Sequence, residues 1–206
     1  MYKFDTAVTP LNFILDLEEL KQYYNTIQTK HKDKLWTWET NLIHVDDVAK
    51  AAFVDPAQTS MRGWPLQSDM ADPTIPPSVL KSRHPSVPWY NTELMFGITK
   101  RLQDLIPHSY RWTLFVLPPG GKVPKHNDPG EYVVHIPIHW NKDAVFILGD
   151  VPNTREYTLP ANGHAYLVDV EIPHETSNNS NEDRVGLIFR IKREYLDEVL
   201  AVTGQV

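Results

Sequence analysis

A histidine and an aspartate two residues apart form the most informative pair of potential metal ligands in the chain. His126 and Asp128 lie in the segment Gly-Gly-Lys-Val-Pro-Lys-His-Asn-Asp-Pro-Gly, residues 120–130. In extended backbone, residues i and i+2 point to the same side, so these two can present an imidazole and a carboxylate to one metal ion. The alternative is that Asp128, placed before Pro-Gly, only forms a turn.

A second histidine and an arginine extend this pair toward a site that holds both a metal and a carboxylate. Two histidines and one carboxylate make the facial triad of non-haem iron, and His174 is well placed to complete it. Arg184 follows ten residues later. If the two segments formed a hairpin centred on Asn179, His174 and Arg184 would be directly opposed, about 5 Å apart. Arg184 could then grip a carboxylate in a bidentate fork; the alternative is a surface ion pair with Glu182 or Asp183.

The elements that must position these residues are short strands. From Ile106 onward, β-rich runs alternate with turn signals, and seven or eight strands at such spacing predict an antiparallel sandwich or barrel. The predicted strands are Tyr110–Leu117, Lys122–Lys125, Tyr132–His139, Ala144–Leu148, Glu156–Leu159, His164–Val170 and Val185–Ile191, with a short strand at His174.

The N-terminal part is predicted to be helical, with a long connection. Apolar spacing predicts helices over about Leu15–Ile27, Val45–Phe53 and from Asn91 or Thr92 to Leu105, and a closing helix over Glu194–Val202. The segment Pro56–Pro88 carries seven of the 17 prolines, so irregular structure is predicted there, as an ordered cover over the site. We expect one domain over residues 1–206, in which residues 1–107 pack on a β core at 108–192, followed by a helix at 193–206.

At this point residues 108–191 resemble a known family. His126-x-Asp128, the distant His174 and Arg184 ten residues on are the pattern of iron(II)- and 2-oxoglutarate-dependent oxygenases with a double-stranded β-helix, a jelly-roll or cupin-like fold. His135-Ile-Pro-Ile and the spacing from Gly163 to Arg184 are similar to the aspartyl/asparaginyl β-hydroxylase branch. The resemblance therefore implies a mainly β core with flanking helices.

The resemblance also implies a role for each site residue. His126, Asp128 and His174 would bind Fe(II), and Arg184 would bind the distal carboxylate of 2-oxoglutarate. His135 would also contact this co-substrate, or else is a core histidine; His139 alternates onto the same face but lies beyond the site. The remaining candidates are Trp112 and Leu114, which either wall the co-substrate pocket or belong to the core, and Arg62 and Trp64, which could meet the substrate from the long connection.

One position departs from the family pattern. The family's Arg-x-His pair has its histidine at His135, but Val133 stands where the arginine is expected. Some of the charge that receives the co-substrate would then have to come from another residue.

The activity implied by the resemblance is hydroxylation of an amino acid or of a peptidyl Asp, Asn or Pro side chain, with release of succinate and CO2. Hydroxylation and desaturation share the same iron core. One alternative is a metal-dependent cupin enzyme, an isomerase or dioxygenase, that needs neither 2-oxoglutarate nor Arg184. The other is a non-catalytic β-sandwich that binds a sugar or a partner through Trp64, Trp89, Tyr90 and Trp112.

Composition limits the remaining classes. The chain has 206 residues, no cysteine and a net charge of −6, which excludes disulfides and thiolate metal sites and argues against a nucleic-acid partner. No apolar stretch approaches the ~20 residues of a membrane-spanning helix, and no signal peptide is recognised. We therefore expect a cytoplasmic enzyme whose partners are 2-oxoglutarate, O2 and a small-molecule or peptide substrate.

Overall fold

The first half of the chain contributes short strands and two helices. The computed structural model describes residues 7–37, 61–68 and 89–203. The elements before residue 109 are β1 (Val8–Ile14), α1 (Leu17–Lys30), a 3-10 turn (Lys32–Lys34), β2 (Trp36–Thr37), β3 (Arg62–Pro65), β4 (Gln67–Ser68), β5 (Tyr90–Asn91) and α2 (Ile98–Leu105). The predicted helix Val45–Phe53 lies outside the described residues.

The eight strands of the second half are divided between two antiparallel sheets. In chain order these strands are β6 (Ser109–Leu117), β7 (Lys122–His126), β8 (Glu131–His139), β9 (Ala144–Leu148), β10 (Arg155–Tyr157), β11 (His164–Asp169), β12 (His174–Asn178) and β13 (Arg184–Lys192). The larger sheet has the order β1-β11-β8-β13-β6-β3-β2, and the smaller one β10-β9-β12-β7. Except for β9 and β10, which are consecutive in the smaller sheet, successive strands switch from one sheet to the other. Two facing antiparallel sheets connected in this way form a double-stranded β-helix, so the predicted fold class is confirmed.

Two hydrophobic clusters hold these layers together. The larger cluster packs the outer face of the seven-stranded sheet, including Trp112 and Phe189, against α1, α2 and the C-terminal helix α3 (Leu196–Thr203), which follows a 3-10 turn at Arg193–Tyr195. The smaller cluster lies between the two sheets and includes Val133, Phe146 and Ile188. The inner face of the larger sheet thus packs against the smaller sheet, and its outer face packs against the helices. None of the described helices is long and apolar enough to span a bilayer.

The predicted first and last helices are confirmed as α1 and α3. Asp16 caps α1, because its carboxylate accepts hydrogen bonds from the N–H groups of Glu18 and Glu19. The helix predicted from Asn91 or Thr92 begins only at Ile98. The Thr92 hydroxyl instead accepts from the N–H of Leu94 at 3.2 Å, a local bond that competes with helix.

Two strands that lie at or next to the edges of the larger sheet were not predicted. β1 pairs with β11 at one edge of the larger sheet, where Pro10, which has no N–H group, can be accommodated. β3 lies in the proline-rich connection, and its Trp64 pairs with Leu114 of β6. The prediction of irregular structure is therefore wrong for β3 and β4, because pairing with a neighbouring strand outweighs weak local propensity. The rest of the predicted cover, at 56–60 and 69–88, lies outside the described residues.

Candidate functional site

Three potential metal ligands meet at one end of the smaller sheet. His126 is the last residue of β7, His174 is the first residue of β12, and the two are direct cross-strand partners with ring centroids 4.2 Å apart. Asp128 lies two residues beyond β7, in the turn that leads to β8. The Nε2 atom of His126 is 3.8 Å from Oδ2 of Asp128, and the three ligand atoms lie within 4.8 Å of one another. The structure thus brings together the three residues that the sequence analysis singled out.

Backbone carbonyls select the histidine tautomers. Nδ1 of His126 lies 2.7 Å from the carbonyl oxygen of Pro124, and Nδ1 of His174 lies 3.0 Å from that of Ile172. A carbonyl oxygen only accepts hydrogen bonds, so each Nδ1 carries the proton and donates it. Each Nε2 therefore keeps its lone pair for a metal ion, and the ring orientation is held by the same bond.

The carboxylate of Asp128 is held by an arginine. Nη2 of Arg190 donates to Oδ2 of Asp128 at 2.8 Å, and Nη1 donates to Glu131. Burial opposes the charge of Arg190, but the carboxylates of Asp128 and Glu131 outweigh it and hold the pKa of Arg190 above its ordinary value. The hydroxyl of Tyr110 donates to the other oxygen of Glu131. Asp128 is therefore the end of a connected chain of hydrogen bonds.

Arg184 lies on the inner face of the larger sheet and is completely buried, with 0% of its surface exposed. Its Nη1 donates to the Thr176 hydroxyl and, at 3.4 Å, to the carbonyl oxygen of Val145. Its guanidinium carbon lies 3.2 Å from the ring centroid of Trp140 and 5.6 Å from that of Phe115. Burial holds the pKa of Arg184 well below its ordinary value.

Part of the Arg184 guanidinium has no partner. Among the described residues, neither Nε nor Nη2 of Arg184 makes a hydrogen bond, although both atoms are buried. Within the same part of the chain, no carboxylate pairs with it. Buried donors without a partner are costly and rare in native proteins. A fixed cation with two unused donors is therefore suited to receive an anionic ligand.

The hairpin expected between His174 and Arg184 is not formed. β12 belongs to the smaller sheet, where His174 pairs with His126 and Leu148, whereas Arg184 pairs with Leu117 in the larger sheet. The connection between β12 and β13 crosses from one sheet to the other, so the two residues come together across the sandwich. The prediction of direct cross-strand opposition is wrong, because the local symmetry of the loop does not determine which sheet each strand joins.

His135 lies on the inner face of the larger sheet, opposite Ile188 of β13. Its ring meets the edge of Phe146 at 5.3 Å, and Phe146 in turn stacks on His174 at 5.7 Å. Burial, reinforced by the charges of Arg184, His174 and Arg190, holds the pKa of His135 well below its ordinary value. His135 is therefore a neutral imidazole on the side of the sheet that carries Arg184.

Four further candidates point away from this space. Trp112 and Leu114 belong to the outer cluster beneath the helices, and Trp112 stacks on Phe189 at 4.0 Å. Trp64 is in the same cluster and donates from Nε1 to the carbonyl oxygen of His31. Arg62 pairs with Asp183 at 2.6 Å. Alternation along β6 gives the inner face to Phe115 instead of Leu114, so the structure places the first three residues in the core.

Sequence reasoning missed two side chains of the site: Arg190, which contacts Asp128, and Trp140, which contacts Arg184. Arg190 could have been found, because it follows Arg184 by six residues on the same strand, and residues an even number apart share one face of a strand. Trp140 could not, because a bulge at Val185–Gly186 interrupts the register between β13 and β8. This bulge brings His139 against Tyr24 of α1 and Trp140 against Arg184.

The comparison with protein families agrees with this geometry. Residues 91–194, just over half of the chain, match the family described as aspartyl/asparaginyl beta-hydroxylase. The chain belongs to this family. Membership of this family supports a hydroxylase, and the resemblance to this branch of oxygenases is confirmed. No curated protein matches this family member in sequence.

Three solved structures are similar to this family member, and one of them is similar enough to support its fold. A prolyl-4-hydroxylase from Pseudomonas putida matches with a TM-score of 0.52 and 12% identity, covering 92% of this chain and 94% of that one. A non-heme monooxygenase, ThoJ in complex with nickel, gives a TM-score of 0.46 at 12% identity over 90% of this chain and 74% of that one. A cupin domain from Bordetella pertussis gives 0.33 at 24% identity over 40% and 80%. The first similarity supports the fold; the other two add nothing to it.

Proposed function

We propose that this protein is an iron(II)- and 2-oxoglutarate-dependent hydroxylase that acts on an amino acid or on a peptidyl side chain of the Asp, Asn or Pro type. The observation that carries this proposal is Arg184, a buried guanidinium with two donor atoms that have no partner among the described residues. It is hydrogen-bonded to Thr176, two residues from His174 of the His-Asp-His cluster. A guanidinium of this kind suits the carboxylate of a co-substrate, whereas a metal enzyme without an anionic ligand does not need one.

The donor set of the cluster fits ferrous iron. His126 and His174 offer Nε2 lone pairs and Asp128 offers a carboxylate, which is the ligand set of non-haem iron oxygenases. A carboxylate accepts at several lone-pair positions, so the bond from Arg190 leaves Asp128 able to bind a cation. When bound, iron and 2-oxoglutarate would supply the oxidation by O2 that places one oxygen atom on the substrate and the other in succinate, with release of CO2.

The spacing of the two binding groups fits a five-carbon diacid. His174 and Thr176 are two residues apart on one face of β12, so about 7 Å separates them along the strand. Arg184 donates to the hydroxyl of Thr176 and is therefore anchored at the far end of this interval. Trp140 lies against one face of the guanidinium and holds its plane. A 2-oxo acid whose second carboxylate reached Arg184 would thus have its oxo end near the metal ligands.

The neighbouring side chains would exclude water and fix orientation. Phe146 is buried between His135 and His174 and gives this part of the sandwich an apolar wall. Because His135 is neutral, its imidazole can donate one hydrogen bond to a carboxylate oxygen without adding a second charge next to Arg184.

The test is co-substrate binding by the metal-loaded protein under anaerobic conditions. With Fe(II) and 2-oxoglutarate, we expect a visible charge-transfer band that requires both the metal and Arg184. His126→Ala should abolish metal binding and with it the band. Arg184→Met should keep the metal but weaken 2-oxoglutarate binding about 100-fold, since two charged hydrogen bonds of ~1.5 kcal/mol each are lost. Arg155→Met, which removes an exposed arginine of β10, is the matched control.

Each outcome has a distinct meaning. Binding of iron without any response to 2-oxoglutarate, together with full activity of Arg184→Met, would favour a metal-dependent cupin enzyme instead. Failure of the wild type to bind iron would refute the metal centre altogether. If the band is present, succinate release with free amino acids and peptides then identifies the substrate class.

A further inference from the structure

Arg190 connects the candidate ligand Asp128 to a partly buried network of side chains. Its guanidinium bridges the carboxylates of Asp128 and Glu131, and Tyr110 donates to Glu131 from the other side. The side chains of Arg190 and Asp128 are each only 14% exposed, and that of Glu131 is 17% exposed. Water therefore competes weakly for these hydrogen bonds, which makes them stronger and more directional than surface ion pairs.

Asp128 needs such an anchor because of where the fold places it. His126 and His174 each belong to a paired strand, and a backbone carbonyl oxygen accepts a hydrogen bond from Nδ1 of each ring. Asp128 lies in the turn after β7, where its own N–H donates to the carbonyl oxygen of Val170. That bond fixes the backbone but does not set the torsion angles of the carboxylate. The bond from Arg190 restricts them.

The position of Arg190 on β13 also explains the departure at Val133. Arg190 and Val133 are direct partners in the register between β13 and β8. A second guanidinium at position 133 would meet that of Arg190 on the same face. The small apolar side chain of Val133, which belongs to the inner cluster, avoids this repulsion and leaves the space to Arg190. The arginine that the family pattern expects at position 133 of β8 is thus replaced by Arg190 on the neighbouring strand β13, where the guanidinium contacts Asp128.

We propose that Arg190 is a positioning residue for the metal centre: it orients the carboxylate of Asp128 toward the two histidines, while Glu131 and Tyr110 fix Arg190 in turn. This inference rests on the proposed metal site but assigns a role to residues outside it. The inference predicts the direction in which the affinity for a metal ion changes when Arg190 is removed. By Coulomb's law alone, removing a cation beside the site should tighten the binding of a metal ion. Loss of an orienting contact should weaken it.

The experiment measures Co(II) binding to the folded protein by anaerobic titration, following the visible ligand-field bands. Arg190→Met should raise the Kd for Co(II) about 10- to 100-fold, the usual effect of losing the partner of a metal ligand, and should change the band pattern. Arg190→Lys, which keeps one charged donor, should recover part of the affinity. The matched control is Arg193→Met, which removes an arginine that pairs with Asp169 and Glu171 instead. It should leave the Kd unchanged.

A double-mutant cycle separates positioning from a general loss of structure. In an Asp128→Ala background, Arg190→Met should cause no further loss of Co(II) affinity, because its effect passes through the absent carboxylate. An equal loss in both backgrounds, or unchanged or tighter binding by Arg190→Met, would overturn the inference. If Arg190→Met does not fold, Glu131→Gln replaces it in the cycle, with a smaller loss of affinity expected in the same direction. Failure of the wild type to bind Co(II) would instead refute the metal site itself.

Discussion

Replacing Arg184 with methionine should make the protein more stable in the absence of co-substrate and much less responsive to 2-oxoglutarate. Methionine fills a similar volume without polar groups. It would remove a cation that is completely buried and whose Nε and Nη2 atoms have no partner among the described residues. The Thr176 hydroxyl would still donate to the carbonyl oxygen of Val145 at 2.9 Å, so the substitution leaves no new unpaired donor there.

The size of the effect follows from the contacts of Arg184. Its bond to Thr176 stabilises the folded state by ~1.5–3 kcal/mol, as do charged hydrogen bonds in general, and its contact with Trp140 by ~2 kcal/mol. Against this stand two unpaired buried donors at ~1–3 kcal/mol each and the desolvation of the charge, which costs several kcal/mol. We therefore expect Arg184→Met to raise the free energy of unfolding by ~1–3 kcal/mol, in the range found when buried ions are replaced by apolar groups.

Thermal unfolding measures both halves of this prediction. For a chain of this length, ~1 kcal/mol corresponds to ~2–4 °C, so the metal-loaded variant should melt ~2–12 °C above the wild type. Adding 2-oxoglutarate at ~100 times the wild-type Kd should then stabilise the wild type by ~2.7 kcal/mol, but the variant, whose Kd is about 100-fold higher, by only ~0.4 kcal/mol. Mn(II) in place of iron avoids turnover during the scan. A variant that melts below the wild type without co-substrate would refute the reasoning, since Arg184 would then be a satisfied structural residue.

Two further predictions concern His135 and Trp112. The folded protein keeps His135 neutral, whereas the unfolded chain takes up its proton below about pH 6.5. Stability contributed by His135 is therefore present above that pH and lost as the pH falls, and His135→Asn should reduce this loss by ~1.4 kcal/mol per pH unit in urea unfolding. Trp112→Phe should lower the free energy of unfolding by ~1–3 kcal/mol through lost packing on Phe189 and the lost bond to Ser109, but leave the Kd for 2-oxoglutarate unchanged.

Both predictions have clear counter-results. Parallel stability curves for wild type and His135→Asn between pH 5 and 8 would show that His135 gains its proton in the folded protein as readily as in the unfolded chain. A marked loss of 2-oxoglutarate affinity in folded Trp112→Phe, measured by calorimetry, would instead show that Trp112 lines the co-substrate pocket.

Local pattern was sufficient for most elements of the second half. The alternation of apolar residues and the turn signals predict β6, β8 and β9 almost to the residue. It failed where a partner strand or a bulge outweighs local preference. β3 is a strand because β6 is beside it, and the bulge opposite β8 exchanges the faces of His139 and Trp140. Neither effect has a signature in the residues concerned.

Residue types and spacing alone determined the chemistry available to this protein: an imidazole and a carboxylate at i and i+2, a later histidine, and an arginine ten residues beyond it. Only the tertiary structure decided how these groups meet. His174 and Arg184 lie in different sheets, Arg184 is buried with donors unused, and Arg190 is turned onto Asp128. The physical reason is that spacing along the chain fixes local direction, whereas burial and pairing across two sheets depend on contacts between residues far apart in sequence.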